Sequence, residues 1–203
     1  MFVVTVDQKG SRRRGDDVPG LLAAVSSWSE GREDTFVLPM ERTVGDEVQG
    51  VLADPGSVVG LALLLQRLGG WSVGIGAGPV VEPLAASAPE SAGEAFVLAR
   101  TAVERARGRS VSVPLAVEGA DPAAAEEAEA LLQLLAAVVR RRTDAGWEVV
   151  DLMARVGTQR EAAERLGISA QAVSQRLDAA LWHEEARLHP LAARLLRAAE
   201  AAA

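Results

Sequence analysis

The stretch from 158 to 177 carries the most demanding pattern in the chain, because nine of its residues each answer a separate geometric need. Thr158 suits the cap of a first helix, and Glu161 three residues on completes a capping box. Ala162 and Ala163 are small where two helices must cross closely. Gly167 sits where a turn needs a backbone conformation that other residues adopt at a cost. Ser169 suits the cap of a second helix, and Ile168, Val173 and Leu177 can fill the space between the two. That second helix would turn Ala170, Gln171, Ser174, Gln175 and Asp178 outward.

The chemistry available there is hydrogen bonding to nucleic acid. A glutamine amide can pair with an adenine edge, and a serine hydroxyl can serve a base or a phosphate. Arg160, Arg165 and Arg176 can hold phosphates, and Glu161, Glu164 and Asp178 offset them. The pattern therefore predicts a helix-turn-helix over 158–182 that reads double-stranded DNA in the major groove. The contact residues would be Thr158, Arg160, Ser169, Ala170, Gln171, Ser174, Gln175 and Arg176. A near-neutral module gains affinity by pairing, so a homodimer on two half-sites is expected. The plainer alternative is a helical hairpin inside a bundle, its arginines lying on a solvated face.

Composition narrows the remaining chemistry. The chain has 203 residues, 49% of them apolar and 24% charged, which suits one larger and one smaller folded unit. It has no cysteine, so disulfides and thiolate metal sites are excluded. His183 and His189 are its two histidines, too few for a histidine-based zinc site. The net charge of −7 opposes non-specific binding to nucleic acid by the whole molecule. The apolar run over 58–65 is too short to cross a membrane, and 1–6 reads as a strand rather than a secretion signal. A cytoplasmic protein without membrane contact is expected.

Two regions must position the motif. Strands are expected over 2–6, 35–40, 48–53 and 71–75, with Gly45-Asp46 as a tight hairpin turn. Helices are expected over 19–28, over 54–68 after the Asp54-Pro55 start, and over 93–107. The segment 79–93 is proline-rich loop, and 111–117, interrupted by Pro114, is an edge strand. The order βαββαβαβ over 1–118 is a ferredoxin-like arrangement with one more strand. Beyond 123 all reads as helix, including 147–156, 159–166, 170–182 and 190–199. The fold class is thus α+β followed by an all-α unit over 123–203. The four tryptophans read as core or interface anchors, and the run Arg12, Arg13, Arg14 as a solvated loop. Gly74, Gly76 and Gly78 lead into Pro79 and a loop, so they are not a dinucleotide fingerprint.

Four segments carry a resemblance. They are 7–12 after the first strand, 45–52 with its Gly45-Asp46-Glu47-Val48-Gln49-Gly50 signature, 73–80, and 93–100. Together they resemble the SatD family of bacterial proteins over nearly the whole chain, with a helix-turn-helix where that family has one. The same segments look like a reduced class III nucleotide cyclase domain. That resemblance implies a dimer, and Asp7 and Asp46 as ligands of Mg²⁺ with a bound nucleotide. It also places Arg42 and Glu94 at base-reading positions. The asparagine and arginine that cyclases use would fall near Val97 and Thr101, so little or no cyclase activity is expected. The expected function is a dimeric DNA-binding transcriptional regulator whose cyclase-like part dimerises and senses a nucleotide. The alternatives are a nucleotide-triphosphate enzyme using Asp7 and Asp46, or a protein-interaction module.

Overall fold

Alternation of side chains along the first strand divides the molecule into layers. In β1 (Phe2–Gln8), Phe2, Val4 and Val6 face one side and Val3, Thr5 and Asp7 the other. The computed structural model describes residues 1–11, 15–32, 34–108 and 112–201, so Arg12, Arg13, Arg14 and Val111 lie outside the described residues. The other strands are β2 (Leu38–Arg42), β3 (Glu47–Leu52), β4 (Trp71–Ala77) and β5 (Leu115–Gly119). They form one mixed sheet in the order β2-β3-β1-β4-β5, and the expectation of an α+β class is met. β1 runs antiparallel to both β3 and β4, and β5 is parallel to β4 at the edge.

Eight helices are present among the described residues: α1 (Val18–Ser29), α2 (Pro55–Leu68), α3 (Glu94–Ala106), α4 (Pro122–Arg141), α5 (Asp144–Met153), α6 (Gln159–Leu166), α7 (Ala170–Ala179) and α8 (Trp182–Glu200). Their starts follow local chemistry. Asp54 accepts from the Ser57 amide at 2.7 Å, and Asp121 accepts from Ala123 and Ala124. Proline follows each of these caps, where its missing N–H costs nothing. None of these helices is long and apolar enough to cross a membrane.

Two glycines bring α3 onto the Val3 side of the sheet. A Cβ on Gly74 would sit 2.6 Å from the Ala99 carbonyl oxygen, and one on Gly76 2.9 Å from the Ala99 Cα. The glycine pattern of 73–80 thus serves close helix packing. The opposite side holds the main core. Phe2, Val4, Ile75 and Leu52 pack there with Leu61 and Leu65 of α2, Leu132 and Leu135 of α4, and Leu196 of α8. A smaller core, built on Val149, Ala162, Val173 and Leu177, joins α5, α6 and α7. The helices on either side of that unit, α4 and α8, therefore belong to the core of the sheet.

Several boundaries differ from expectation: the helix expected over 170–182 ends at Ala179 and α8 starts separately at Trp182, and the helix expected over 147–156 spans Asp144–Met153. The second strand begins at Leu38 rather than 35, because Thr35 instead closes a turn onto the Arg32 carbonyl. The last strand begins at Leu115, since Pro114 has no N–H to give the ladder; its carbonyl accepts from Val73 and Gln66. Pro190, read as a helix start, lies inside α8 on its exposed side, where water can satisfy the carbonyl that its ring leaves unbonded.

The helical end is tied down at Arg142, whose side chain is 1% exposed. Its Nε and Nη2 donate to the Ala180 carbonyl at 3.2 and 2.9 Å, and Nη2 also meets Glu185 at 2.8 Å. Glu185 is also bonded to His189 at 2.7 Å. Burial pushes the Glu185 carboxyl up, but the hydrogen bonds from His189 and Arg142 and the charge of Arg142 hold it below the usual glutamate range.

Two outcomes test this arrangement. Gly76→Val should cost about 3 kcal/mol in urea unfolding, because α3 must lift from the sheet. Glu185→Gln should be less stable than the parent at neutral pH. The pair's contribution is present above the ordinary glutamate range and is lost as pH falls through the lowered folded value, so the two urea curves should converge in acid.

Candidate nucleic-acid interface and the Asp7 cleft

The segment expected to meet DNA folds from its caps inward. Thr158 Oγ1 accepts from the Glu161 amide at 3.2 Å and starts α6. The reciprocal half of the capping box is replaced, because the Glu161 carboxylate pairs with Arg165 at 2.9 Å. Gly167 closes α6 at φ 64°, ψ 30°, and the Ile168 amide reaches back to the Ala163 carbonyl. Ser169 Oγ accepts from the Ala172 amide at 3.1 Å and starts α7. Ala162, Ala163, Val173 and Leu177 are buried between the helices.

The outward side of α7 carries Ala170, Gln171, Gln175 and Asp178, all exposed, with Ser174 half-buried beside them. Thr158 and Ser169 are exposed at the two helix starts, and their hydroxyls are spent as caps. The arginines are committed to carboxylates. Arg160 pairs with Glu164 at 3.3 Å and Arg176 with Glu148 of α5 at 2.8 Å. Each of these pairs is exposed enough to be worth about 1 kcal/mol or less. An arginine can leave such a pair for a phosphate at small cost.

Register brings together the acidic residues of the other expected site. Asp7 and Glu47 are direct partners across β1 and β3, and Thr5 and Gln49 are the next pair on the same face. Gly45, at φ 67°, makes the hairpin turn that carries Asp46 beside them. With Phe96, Val97 and Arg100 of α3 they line a cleft of about 650 Å³. Arg107, at the end of α3, closes it by donating to Asp7 and lying 3.9 Å from Glu47. Burial pushes the Asp7 carboxyl up; Arg107 pulls it down, and the charges of Asp46 and Glu47 push it up again.

Arg42 and Glu94 are elsewhere. Arg42 grips Asp16 through two contacts of 2.6 and 2.7 Å, and its hydrogen bond holds the Asp16 carboxyl below the usual range. Glu94 is exposed in the first turn of α3 and does not line the cleft. Val97 lines it with an exposed apolar side chain, while Thr101 bonds its own helix through the Val97 carbonyl. Sequence reasoning missed Arg107, Arg100 and Glu47. Only Glu47 carried a signal, as the strand partner of Asp7 once the hairpin register is known.

A guanidinium holds Asp7, so a Mg²⁺ ion with a nucleotide could use Asp7 and Asp46 only after Arg107 leaves.

Neither a family model, nor a curated protein, nor a solved structure matches the chain.

Replacing Arg107 with Met should move the Asp7 titration to higher pH, because the groups that raise it remain and the one that lowers it is gone. Carboxyl NMR across the acid range reads this directly. An unmoved titration would show that the ion pair is absent in solution.

Proposed function

We propose that the chain is a dimeric, sequence-specific DNA-binding regulator of transcription, with α6 and α7 as its helix-turn-helix. One observation carries the reading. A doubly capped helix pair, joined by a left-handed glycine, leaves two adjacent glutamine positions, Gln171 and Gln175, exposed on one helix. Side chains one turn apart on a helix in the major groove can reach neighbouring base edges. Ala170 offers a thymine methyl an apolar contact, and Ser174 lies between the glutamines.

The α/β part supports a second element of this reading. Its order β2-β3-β1-β4, with antiparallel neighbours, is what two split βαβ units of a ferredoxin-like domain would give. The SatD and class III cyclase resemblance implies the same order, and it is that resemblance which implies dimerisation through this part. For Asp7 and Asp46 to hold Mg²⁺ with a nucleotide, Arg107 must first leave Asp7. We therefore assign no enzymatic step there. A protein-interaction role for the helical unit is the second reading. It is favoured by the pairing of Arg160, Arg165 and Arg176 with acidic neighbours, which leaves little net positive charge toward a phosphate backbone.

Selection from random duplex DNA with the purified protein separates the two. The regulator reading expects an enriched inverted repeat. Gln171→Ala and Gln175→Ala should each weaken binding to that repeat by about 10- to 100-fold, leaving weak non-specific binding as it was. Both positions are exposed and alanine favours helix, so circular dichroism should not change. No enrichment, or full binding by the double variant, would overturn the reading.

A further inference from the structure

A second cleft, lined by α2, α5 and α8 and distinct from the Asp7 cleft, plays no part in the DNA-binding reading. It has a volume of about 610 Å³, within the range of small-ligand pockets. Trp28 at the end of α1, Trp147 on α5 and Trp182 at the start of α8 all line it. These are three of the chain's four tryptophans. All three are only half-buried; the Trp147 ring already carries the guanidiniums of Arg67 and Arg142, 3.7 and 4.4 Å from its centre, so Trp28 and Trp182 offer the freer ring surface. Leu63 and Val139 add apolar wall. Gly60 lets the Trp28 ring lie close against α2, because a Cβ there would sit 2.9 Å from the ring.

One buried cation lines this cleft, together with the exposed Arg32, Arg67 and Asp54 and the buried Glu185. Arg142 lines the cleft, and its guanidinium lies 4.4 Å from the Trp147 ring centre. Nε and Nη2 are spent on the Ala180 carbonyl and Glu185, while Nη1 has no protein partner among the described residues. A guanidinium carries five N–H donors in a planar fork, and Nη1 bears two of them. A fixed fork with one arm left without a protein partner suits a carboxylate oxygen. Arg32, 5.3 Å from the Trp28 ring centre, adds positive charge at the rim. Half-buried indoles offer edge-to-face and offset stacking to another flat ring.

We propose that this cleft binds a small aromatic carboxylate, its ring among Trp28, Trp147 and Trp182 and its carboxylate on Nη1 of Arg142. The proposal does not depend on DNA binding. The occupant touches α2 of the sheet layer and α5 of the helical unit at once, so it joins the two cores.

The test titrates benzoate and phenylacetate into the full chain, with benzyl alcohol as the uncharged counterpart. Tryptophan fluorescence and calorimetry read the binding. Both carboxylates should saturate the signal, and benzyl alcohol should bind at least about tenfold more weakly. Arg142→Gln also removes the Ala180 and Glu185 contacts, so the decisive variants are Ala186→Phe and Ala154→Phe. Both residues are exposed and line the cleft. Each substitution should fill the mouth and weaken carboxylate binding about tenfold or more, with an unchanged melting curve. The proposal is overturned by no saturation up to about 10 mM, by equal binding of benzyl alcohol, or by full binding in both well-folded variants.

Discussion

The helical end of this protein hangs on one buried guanidinium. Arg142 caps the end of the long helix α4, whose Leu132, Leu135 and Val139 are part of the main core. From there it reaches the Ala180 carbonyl just past α7 and Glu185 in the first turn of α8. A buried charge must be paired and hydrogen-bonded or it destabilises the fold by several kcal/mol. Arg142 meets that demand only if α4, α7 and α8 are arranged as they are. Trp147 is held in the same place, with Arg67 3.7 Å and Arg142 4.4 Å from its ring centre. Arg67 in turn grips Asp151 of α5 at 2.6 and 2.5 Å. A unit with a small core of its own is thereby fixed against the larger one by charge and stacking. Leu181 adds to the cost of this junction, since it holds φ 51°, a left-handed conformation uncommon for a branched residue.

The two-residue period of β1 sets apart two sites of different character. Its Thr5 and Asp7 side, covered by α3, gathers carboxylates and balances them with Arg107. Its Phe2 and Val4 side is dry, and the helices stacked on it supply the walls of the tryptophan cleft at their far ends. A shift of one residue in the pairing of β1 with β3 would exchange these faces and bury Asp7 in the main core. The apolar side therefore fixes the register that places Asp7 opposite Glu47.

Local chemistry was legible in the sequence wherever it acts over a few residues. Thr158, Gly167 and Ser169 do what their types and spacing predict, and Asp54 before Pro55 caps α2. The Gly45-Asp46 turn is likewise present. The sites were less legible because their decisive partners are remote. Arg107 is 100 residues from Asp7, and Arg142 is 43 from Glu185. No periodicity reports such a pairing. Pro190 misled for the opposite reason. A local rule, proline at a helix start, was overridden by packing of Ala192 and Leu196 against the sheet core, and α8 continues through it.

The same distinction bears on how the helical unit could meet DNA. Arg160, Arg165 and Arg176 are each engaged by an acidic neighbour, and the whole chain carries a net charge of −7. Counterion release, which supplies most non-specific affinity, scales with the number of phosphates neutralised. A protein so arranged attracts DNA weakly at a distance. On the proposed reading, recognition would rest on Gln171, Gln175 and the shape of the groove, and on doubling those contacts through a second copy. Weak steering with specific contacts favours discrimination over raw affinity, because wrong sites gain little from charge alone. The acidic residues beside the arginines are in this view part of the specificity, since they lower binding everywhere except where the glutamines find their bases.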